Sequence, residues 1–169
     1  MINNLNENDL GDMEGTFYSE IFGYDIDVIY DSDIPQEYVE KNIQYLDSLD
    51  QDFLVSICAA LKRYYEDYKR LYPDLCEFVE GDVLGDYEKE PISILKYIDI
   101  GVYKFDIYDT TDENIPVINL EGDCAWSGDK GITIAAKNNQ LLYVGPWEDF
   151  DVWNSSTDYM FNYATSEKK

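Results

Sequence analysis

Between Thr16 and Asp31 the chain contains two runs with the strand-like alternation of hydrophobic and polar residues. The segment TFYSEIFGYDIDVIYD is divided by Gly23, which suits a turn between the two runs. One side of the second run carries Tyr24, Ile26, Val28 and Tyr30, and the other carries Asp25, Asp27, Ile29 and Asp31. We therefore predict a β-hairpin with one hydrophobic face and one acidic face.

The next segment shows helical spacing in two places. Asp33 and Pro35 are expected to cap and open a first helix with hydrophobic residues at Ile34, Tyr38, Ile43, Tyr45, Leu46 and Leu49. A second helix is expected after Ser48, because SLDQ has the form of a capping box, and it should end at Pro73. Its apolar stripe is Leu54, Ile57, Cys58, Leu61, Tyr64, Tyr65, Tyr68, Leu71 and Tyr72. Such a stripe is typical of a helix that packs on a core.

Residues 74–90 contain two glycines and several acids, which predict an irregular connection, and PISILKY predicts a short helical turn. From Ile98 onward the strand pattern returns in IDIGVYKFDIYD, PVINLEGDCAW, GITIAAK and QLLYVG, with spacing that favours an antiparallel meander. The predicted fold class is α+β: an antiparallel sheet, made of the N-terminal hairpin and the C-terminal meander, with two consecutive helices packed on one face. We expect residues 16–169 to form a single domain and the acidic residues 1–15 to be loosely ordered.

The net charge indicates the kind of partner. The 169 residues include 36 Asp and Glu, 12 Lys and Arg and no His, so the formal charge is −24, and no basic residue precedes Lys41. Such a charge repels nucleic acid and anionic membranes, and it steers the protein toward basic partners. Because 45% of the residues are hydrophobic, the chain still has enough apolar material to fold.

The chain lacks histidine, the residue that most often serves as a general base or a metal ligand. The absence of His removes imidazole-based triads and the commonest metal ligand. Neither DSD nor DTTDEN completes a calcium-binding loop. We therefore expect no catalytic residues, no metal and no cofactor.

Cysteine usage and hydropathy predict the compartment. Cys58, Cys76 and Cys124 form no C-x-x-C pair, and their odd number argues against a disulfide framework. The start MINNLNENDLGDMEG lacks the basic and apolar regions of a signal peptide, and no apolar run approaches the length of a membrane span. We expect a cytoplasmic protein that does not bind membranes.

One strand–turn–strand unit carries a definable motif. In LEGDCAWSGDKGITIAAKNNQLLYVG a hydrophobic strand ends at Trp126, a tight turn reaches Gly131, and two more strands end in Val-Gly. This unit, like the hairpin and two helices before it, resembles a family of small bacterial domains of unknown function, several of them related to immunity proteins of polymorphic toxin systems. Their turn reads W-x-x-E-H-G. Here Asp129 and Lys130 replace the Glu and the His, so any role of that His is lost.

The resemblance implies a non-enzymatic immunity protein that binds a cognate basic bacterial toxin, for example a nuclease, and occludes its active or substrate-binding surface. Among the residues, GPWEDFDVWN offers aromatic anchors between acids. The predicted partner-binding residues are Trp147, Glu148, Asp149, Asp151 and Trp153, followed by the hairpin acids Asp25 and Asp27. Trp126 and Gly131 have structural explanations instead, as an aromatic that covers the core and a glycine with positive φ.

Two other functions stay open at this point. An acidic nucleic-acid mimic would inhibit DNA-binding or restriction proteins with acids spaced like phosphates. A carboxylate-dependent enzyme would use paired acids, with or without calcium. Adjacent acids are expected by chance in a chain with 36 of them, so they single out no catalytic pair.

Overall fold

The computed structural model describes residues 1–106 and 111–165. Its centre is a seven-stranded sheet in which the strands lie side by side in chain order. The strands are β1 (Asn3–Glu7), β2 (Asp12–Ser19), β3 (Tyr24–Asp31), β4 (Ile98–Phe105), β5 (Val117–Cys124), β6 (Ile132–Lys137) and β7 (Gln140–Gly145). The predicted α+β class is confirmed. The predicted strand positions 107–109 and residues 166–169 of the predicted domain lie outside the described residues.

The sheet is mostly antiparallel, but β3 and β4 run parallel. Asp27 pairs with Val102 and Ile29 pairs with Lys104 in this register. A parallel pair needs a long crossover, and the α-helices of the described chain lie between Asp31 and Ile98. The prediction of an antiparallel sheet was wrong for this pair, because the hydrophobic pattern of a strand does not show whether it runs parallel or antiparallel to its neighbour.

The structure gives strands to residues 1–15, for which we expected loose order. β1 pairs with β2, and β2 pairs with β3 from Asp12 opposite Asp31 to Ser19 opposite Tyr24. The Oδ1 atom of Asn8 closes the β1–β2 turn by accepting hydrogen bonds from the N–H groups of Leu10 and Asp12, at 2.9 and 3.0 Å. Backbone pairing therefore orders this polar segment, and a hydrophobic pattern does not reveal such pairing.

Four α-helices fill the crossover: α1 (Gln36–Asp47), α2 (Gln51–Leu71), α3 (Pro73–Cys76) and α4 (Val83–Lys89), followed by a 3-10 helix at Pro91–Tyr97. Helix α2 ends before Pro73 as predicted, but its N-cap is Asp50, whose Oδ1 accepts from the N–H of Phe53 at 2.8 Å. Pro35 is the N-cap of α1, and no side chain caps this helix. Helices α3 and α4 occupy the segment predicted as irregular. In the described part of the chain, no helix is both long enough and apolar enough to cross a membrane.

The sheet has two distinct faces. On β3, Ile26, Val28 and Tyr30 are buried, whereas Asp25, Asp27 and Asp31 are exposed, which confirms the predicted alternation. We call these sides the inner and the outer face. Since directly paired residues point to the same side, the outer face also includes the side chains of Val102, Lys104, Glu121 and Thr133.

The first two helices contact the core through buried polar and aromatic groups. In α1, the Oδ1 atom of Asn42 accepts from the N–H of Val117 at 2.7 Å, and its carbonyl oxygen accepts from the hydroxyl of Tyr103 at 3.3 Å. In α2, the ring of Tyr64 meets Trp126 edge-on, with centroids 5.7 Å apart. Trp126 is only 1% exposed and Gly131 has φ of 59°, so the structural explanations of both residues are confirmed.

The C-terminal segment, residues 146–165, covers the outer face of β5–β7 and the edge of β7. Phe150 stacks on Tyr143 at 5.3 Å, and its carbonyl oxygen accepts from the Nδ2 of Asn119 at 2.8 Å. Further on, the N–H of Tyr163 donates to the carbonyl oxygen of Val144 at 2.8 Å. This segment therefore covers the edge of the sheet at β7 and the part of the outer face formed by β5–β7.

Candidate protein-binding surface

The outer face of β2 and β3 carries a group of acids that we call the outer acidic surface: Asp12, Glu14, Asp25, Asp27 and Asp31. Strand register places Asp12 directly opposite Asp31. Like charges in directly opposed positions of an antiparallel pair destabilise it. The free protein therefore keeps an electrostatic repulsion between these two carboxylates, and this repulsion does not stabilise the fold.

Lys104 lies at the margin of this surface, and its positive charge is already paired with two carboxylates of the protein. Its Nζ lies 3.2 Å from Oε1 of Glu121 and 3.0 Å from Oδ1 of Asp149. Burial alone would lower the pKa of Lys104, but the hydrogen bond to Asp149 and the interactions with Glu121 outweigh burial and raise it. A partner that approaches this side therefore meets a lysine that is held by two carboxylates of the protein.

Acidic side chains crowd where the outer acidic surface meets the C-terminal segment. Burial raises the pKa of Asp106, and the neighbouring charges of Asp151, Asp149 and Glu121 raise it further, against the opposing effect of Lys104. Beside it is an open cleft of about 500 Å³, lined by Asp12, Ile29, Tyr30, Asp31, Asp33, Ile34, Lys104, Phe105 and Asp106. The lining combines four apolar or aromatic residues with four aspartates and Lys104, a combination suited to a cationic side chain with an aliphatic stem.

The residues predicted in the C-terminal run have different environments. Trp147 is 54% exposed and the Asp149 side chain is 84% exposed, so both are available for contact. Glu148 is half-buried, and its backbone exchanges hydrogen bonds with the Thr133 hydroxyl at 3.1 and 3.2 Å. Of the five residues, Trp147 and Asp149 therefore have the geometry most suited to direct recognition.

Asp151 and Trp153 both contribute to local structure. Oδ1 of Asp151 accepts from the N–H groups of Trp153 and Asn154 at 2.7 and 3.1 Å, which shapes a turn. The half-buried indole of Trp153 packs on the core, and Nζ of Lys137 lies 5.0 Å from its ring centroid. Both residues hold the C-terminal segment in place, whatever they contribute to binding.

The two predicted groups of acids share one side of the sheet. Asp25 and Asp27 lie on the outer face of β3, and Lys104, which bonds Asp149, pairs with Ile29 two positions along that strand. Trp147 lies apart, in a second cleft of about 420 Å³ whose lining includes Asp123, Asp129 and Lys130. The sequence missed Asp12 and Glu14, because their segment showed no strand pattern, and missed Lys104, because its role depends on register.

The motif-bearing turn is maintained by buried polar groups. The Ser127 hydroxyl donates to the carbonyl oxygen of Gly131 at 3.2 Å, and the Cys124 thiol lies 2.8 Å from the Ser127 hydroxyl. Burial raises the pKa of Cys124 to about 11 and that of Cys58 to about 12. These thiols are therefore neutral near pH 7, which does not suit a nucleophilic role.

A metal-dependent reaction has no evident site in the described residues. Over positions 1–106 and 111–165, no three Cys, Asp or Glu side chains are grouped so that they could hold a metal ion. The acids of the outer acidic surface instead lie in rows along β2 and β3.

One known family has a sequence model that matches most of this chain. The family described as Domain of unknown function (DUF6985) has a model that matches residues 1–152. This chain belongs to the DUF6985 family. The DUF6985 match includes all seven strands and the acids of the outer acidic surface, and it ends one residue before Trp153. No curated protein and no solved structure matches the chain.

Proposed function

We propose that this DUF6985 protein is a non-enzymatic immunity protein that binds a cognate basic toxin and occludes its active or substrate-binding surface. The observation that carries the proposal is the outer acidic surface, where Asp12 opposes Asp31 while the nearby Lys104 is bound by Glu121 and Asp149. A basic partner would relieve this repulsion on binding. Acids that cost stability in the free protein would then contribute to the complex.

The arrangement of the helices supports this choice of face. We infer that α1 and α2 pack together on the inner face, through the contacts of Asn42 with Val117 and of Tyr64 with Trp126. The C-terminal segment covers the outer face of β5–β7, for example where Phe150 stacks on Tyr143. The outer face of β2–β4 is then the broad sheet surface that a partner reaches.

Charge and aromatic anchors would have separate roles in the complex. An acidic surface steers a basic protein to the encounter, and such association reaches about 10⁸ to 10⁹ M⁻¹s⁻¹ at low salt. Affinity depends on a few large side chains that become buried. Tyr18, which is 52% exposed and pairs with Asp25, is the aromatic anchor of this surface, and Trp147 offers a second anchor in its separate cleft.

The identity of the partner as a toxin rests on the resemblance of the turn from Trp126 to Gly131 to that of immunity proteins. In this chain the turn has a structural role, since Trp126 is buried and Gly131 has a positive φ. The turn therefore supports membership of a common scaffold, and the acids would carry the specificity. Buried free thiols at Cys58, Cys76 and Cys124 are compatible with action in the cytoplasm.

The test begins with capture of basic proteins from the producing organism, washed at low and then moderate salt. The double variant Asp25→Lys, Asp27→Lys is compared with Asp52→Lys, Glu90→Lys, which makes the same charge change on exposed residues outside the sheet. We expect the outer-face variant to slow association by at least about tenfold and to flatten its salt dependence, while the control changes it by less than about threefold. Equal losses in both variants would show that only net charge matters, and would reject this surface.

The captured partner decides between the functions. A single basic enzyme that survives moderate salt and loses its activity on binding supports the immunity function. Several unrelated DNA-binding proteins, all inhibited and all displaced by DNA, would favour the nucleic-acid mimic instead. Turnover of a substrate by the protein itself, lost when acids outside the outer acidic surface are replaced, would contradict a non-enzymatic inhibitor.

A further inference from the structure

A second surface is apolar and is carried by different elements. Where α2 ends and α3 follows, four large hydrophobic side chains are exposed: Leu71 at 41%, Tyr72 at 48%, Leu75 at 50% and Phe78 at 82%. They fall within eight consecutive residues and form what we call the corner patch. Single exposed hydrophobic residues are ordinary on protein surfaces, whereas a group of them marks an interaction site.

Backbone hydrogen bonds and a proline fix the backbone conformation of the corner patch. The N–H of Tyr72 donates to the carbonyl oxygen of Tyr68 at 2.7 Å, and the N–H of Leu75 donates to that of Tyr72 at 3.2 Å. Pro73 restricts the backbone between them, and Cys76 is buried. A preorganised surface loses little entropy on binding, so these exposed side chains are suited to contribute affinity.

The charges around the corner patch are acidic and available. Asp74, Glu77 and Glu80 are exposed, and in the described part of the chain none of them forms a salt bridge. The neighbouring cations are engaged, because Arg70 bonds Asp67 at 2.6 Å and Nζ of Lys69 lies 5.6 Å from the ring centroid of Tyr65. The patch thus has an apolar centre and an anionic rim, which is the usual organisation of a protein interface.

We propose that the corner patch binds a protein segment whose hydrophobic side chains are flanked by Lys or Arg. This is a second binding site, separate from the outer acidic surface. A second copy of the chain does not fit the patch, because docking would bring Asp74, Glu77 and Glu80 of two highly acidic molecules together. An anionic lipid surface is repelled for the same reason. A basic amphipathic helix satisfies both the apolar centre and the rim.

The test uses a synthetic amphipathic peptide of Leu and Lys with helical periodicity, and its Leu and Glu counterpart, in fluorescence anisotropy with the full chain. The patch variant is Leu75→Ser, Phe78→Ser. The matched control is Leu10→Ser, which removes an 87% exposed leucine far from α3 in the sequence. We expect the Leu and Lys peptide to bind, the patch variant to weaken binding by at least about tenfold, and the control to change it by less than about twofold. The Leu and Glu peptide should bind at least about tenfold more weakly.

Three outcomes would overturn the proposal. One is that the patch variant binds the Leu and Lys peptide as tightly as the unaltered protein. Another is that Asp25→Lys, Asp27→Lys abolishes peptide binding, which would assign it to the outer acidic surface. The third is a dimer in sedimentation equilibrium that Leu75→Ser, Phe78→Ser dissociates, since a second copy would then be the occupant. Failure of the proposed immunity function leaves these measurements unaffected, because no toxin is used.

Discussion

The hydroxyl of Tyr163 donates a hydrogen bond to Oδ2 of Asp67 at 2.8 Å. This contact ties the C-terminal segment to α2, and Arg63 reinforces it by donating to the carbonyl oxygen of Tyr163 at 2.7 and 3.0 Å. The ring of Tyr163 also stacks on Tyr64 with centroids 5.2 Å apart. Since the DUF6985 match ends at residue 152, this attachment lies in a part of the chain beyond the matched family domain.

Replacement of Tyr163 by Phe is expected to destabilise the protein. Both partners are buried, and a hydrogen bond to a charged group contributes about 1.5–3 kcal/mol. Because Arg70 also bonds Asp67, we expect the loss to fall near the lower value, and urea unfolding will measure it. The control is Tyr18→Phe at an exposed position, which should stay within about 0.5 kcal/mol. A loss no larger than that of the control would contradict a stabilising role for this bond.

Asp86 provides a pH-dependent contribution to stability. Its hydrogen bonds with Lys96 and Tyr97 lower its pKa from the ordinary 3.8 to about 2. A carboxylate with a depressed folded pKa stabilises the fold above its unfolded pKa, and this contribution is lost as the pH falls from about 4 to about 2. The stability difference between the unaltered protein and Asp86→Asn should therefore shrink over that range in urea titrations. A difference that stays constant from pH 6 to pH 2 would show that the ion pair is not its source.

Lys104 is expected to stabilise the sheet through Glu121 more than through Asp149. Glu121 is only 10% exposed in its side chain, whereas Asp149 is 84% exposed. The variant Lys104→Met leaves the Glu121 charge without that partner and should cost about 1–3 kcal/mol, less than a fully buried pair because water reaches the lysine. The double variant Lys104→Met, Glu121→Met should recover most of the loss, whereas Asp149→Asn alone should cost less than about 0.5 kcal/mol. Urea unfolding of all three variants tests this ranking.

The tryptophans at positions 126 and 147 should behave in opposite ways. Trp126 is 1% exposed between Tyr64 and Tyr65, so Trp126→Ala should cost about 3–5 kcal/mol. Trp147 is 54% exposed, so Trp147→Ala should change stability by less than about 1 kcal/mol while weakening partner binding by at least about tenfold. Chemical unfolding and binding kinetics measure the two effects. Unaltered partner affinity in Trp147→Ala would remove this residue from the proposed interface.

Periodicity predicted the elements that bury a regular stripe. The alternation in β3 and the stripe from Ile57 to Tyr68 in α2 are clear because each element has one side in the core. The last two residues of the predicted stripe, Leu71 and Tyr72, are exposed instead. The same method failed for β1, whose burial pattern contains no buried residue, and for the short helices α3 and α4. Their order comes from backbone pairing and local capping, such as the bond from the N–H of Gly85 to Asp82 at 3.0 Å.

The candidate surfaces were predictable only in part. Asp25 and Asp27 follow from the strand pattern, since every second residue of a half-buried strand faces water. The role of Asp12 depends on a register that composition does not specify. The exposed position of Phe78 was missed because it depends on the turn after α3. From the sequence alone, an aromatic residue is expected to be buried in the core.

The parallel pairing of β3 with β4 affects the order in which the molecule folds. Strands β1–β3 and β4–β7 are each joined to their neighbours by antiparallel pairs close in sequence, whereas residues 32–97 separate β3 from β4. Bringing together distant segments costs more chain entropy than closing a hairpin, so the two halves of the sheet should nucleate separately and merge late. The seam between them runs beside the outer acidic surface. Folding of this protein should therefore be limited by the step that also assembles its proposed binding face.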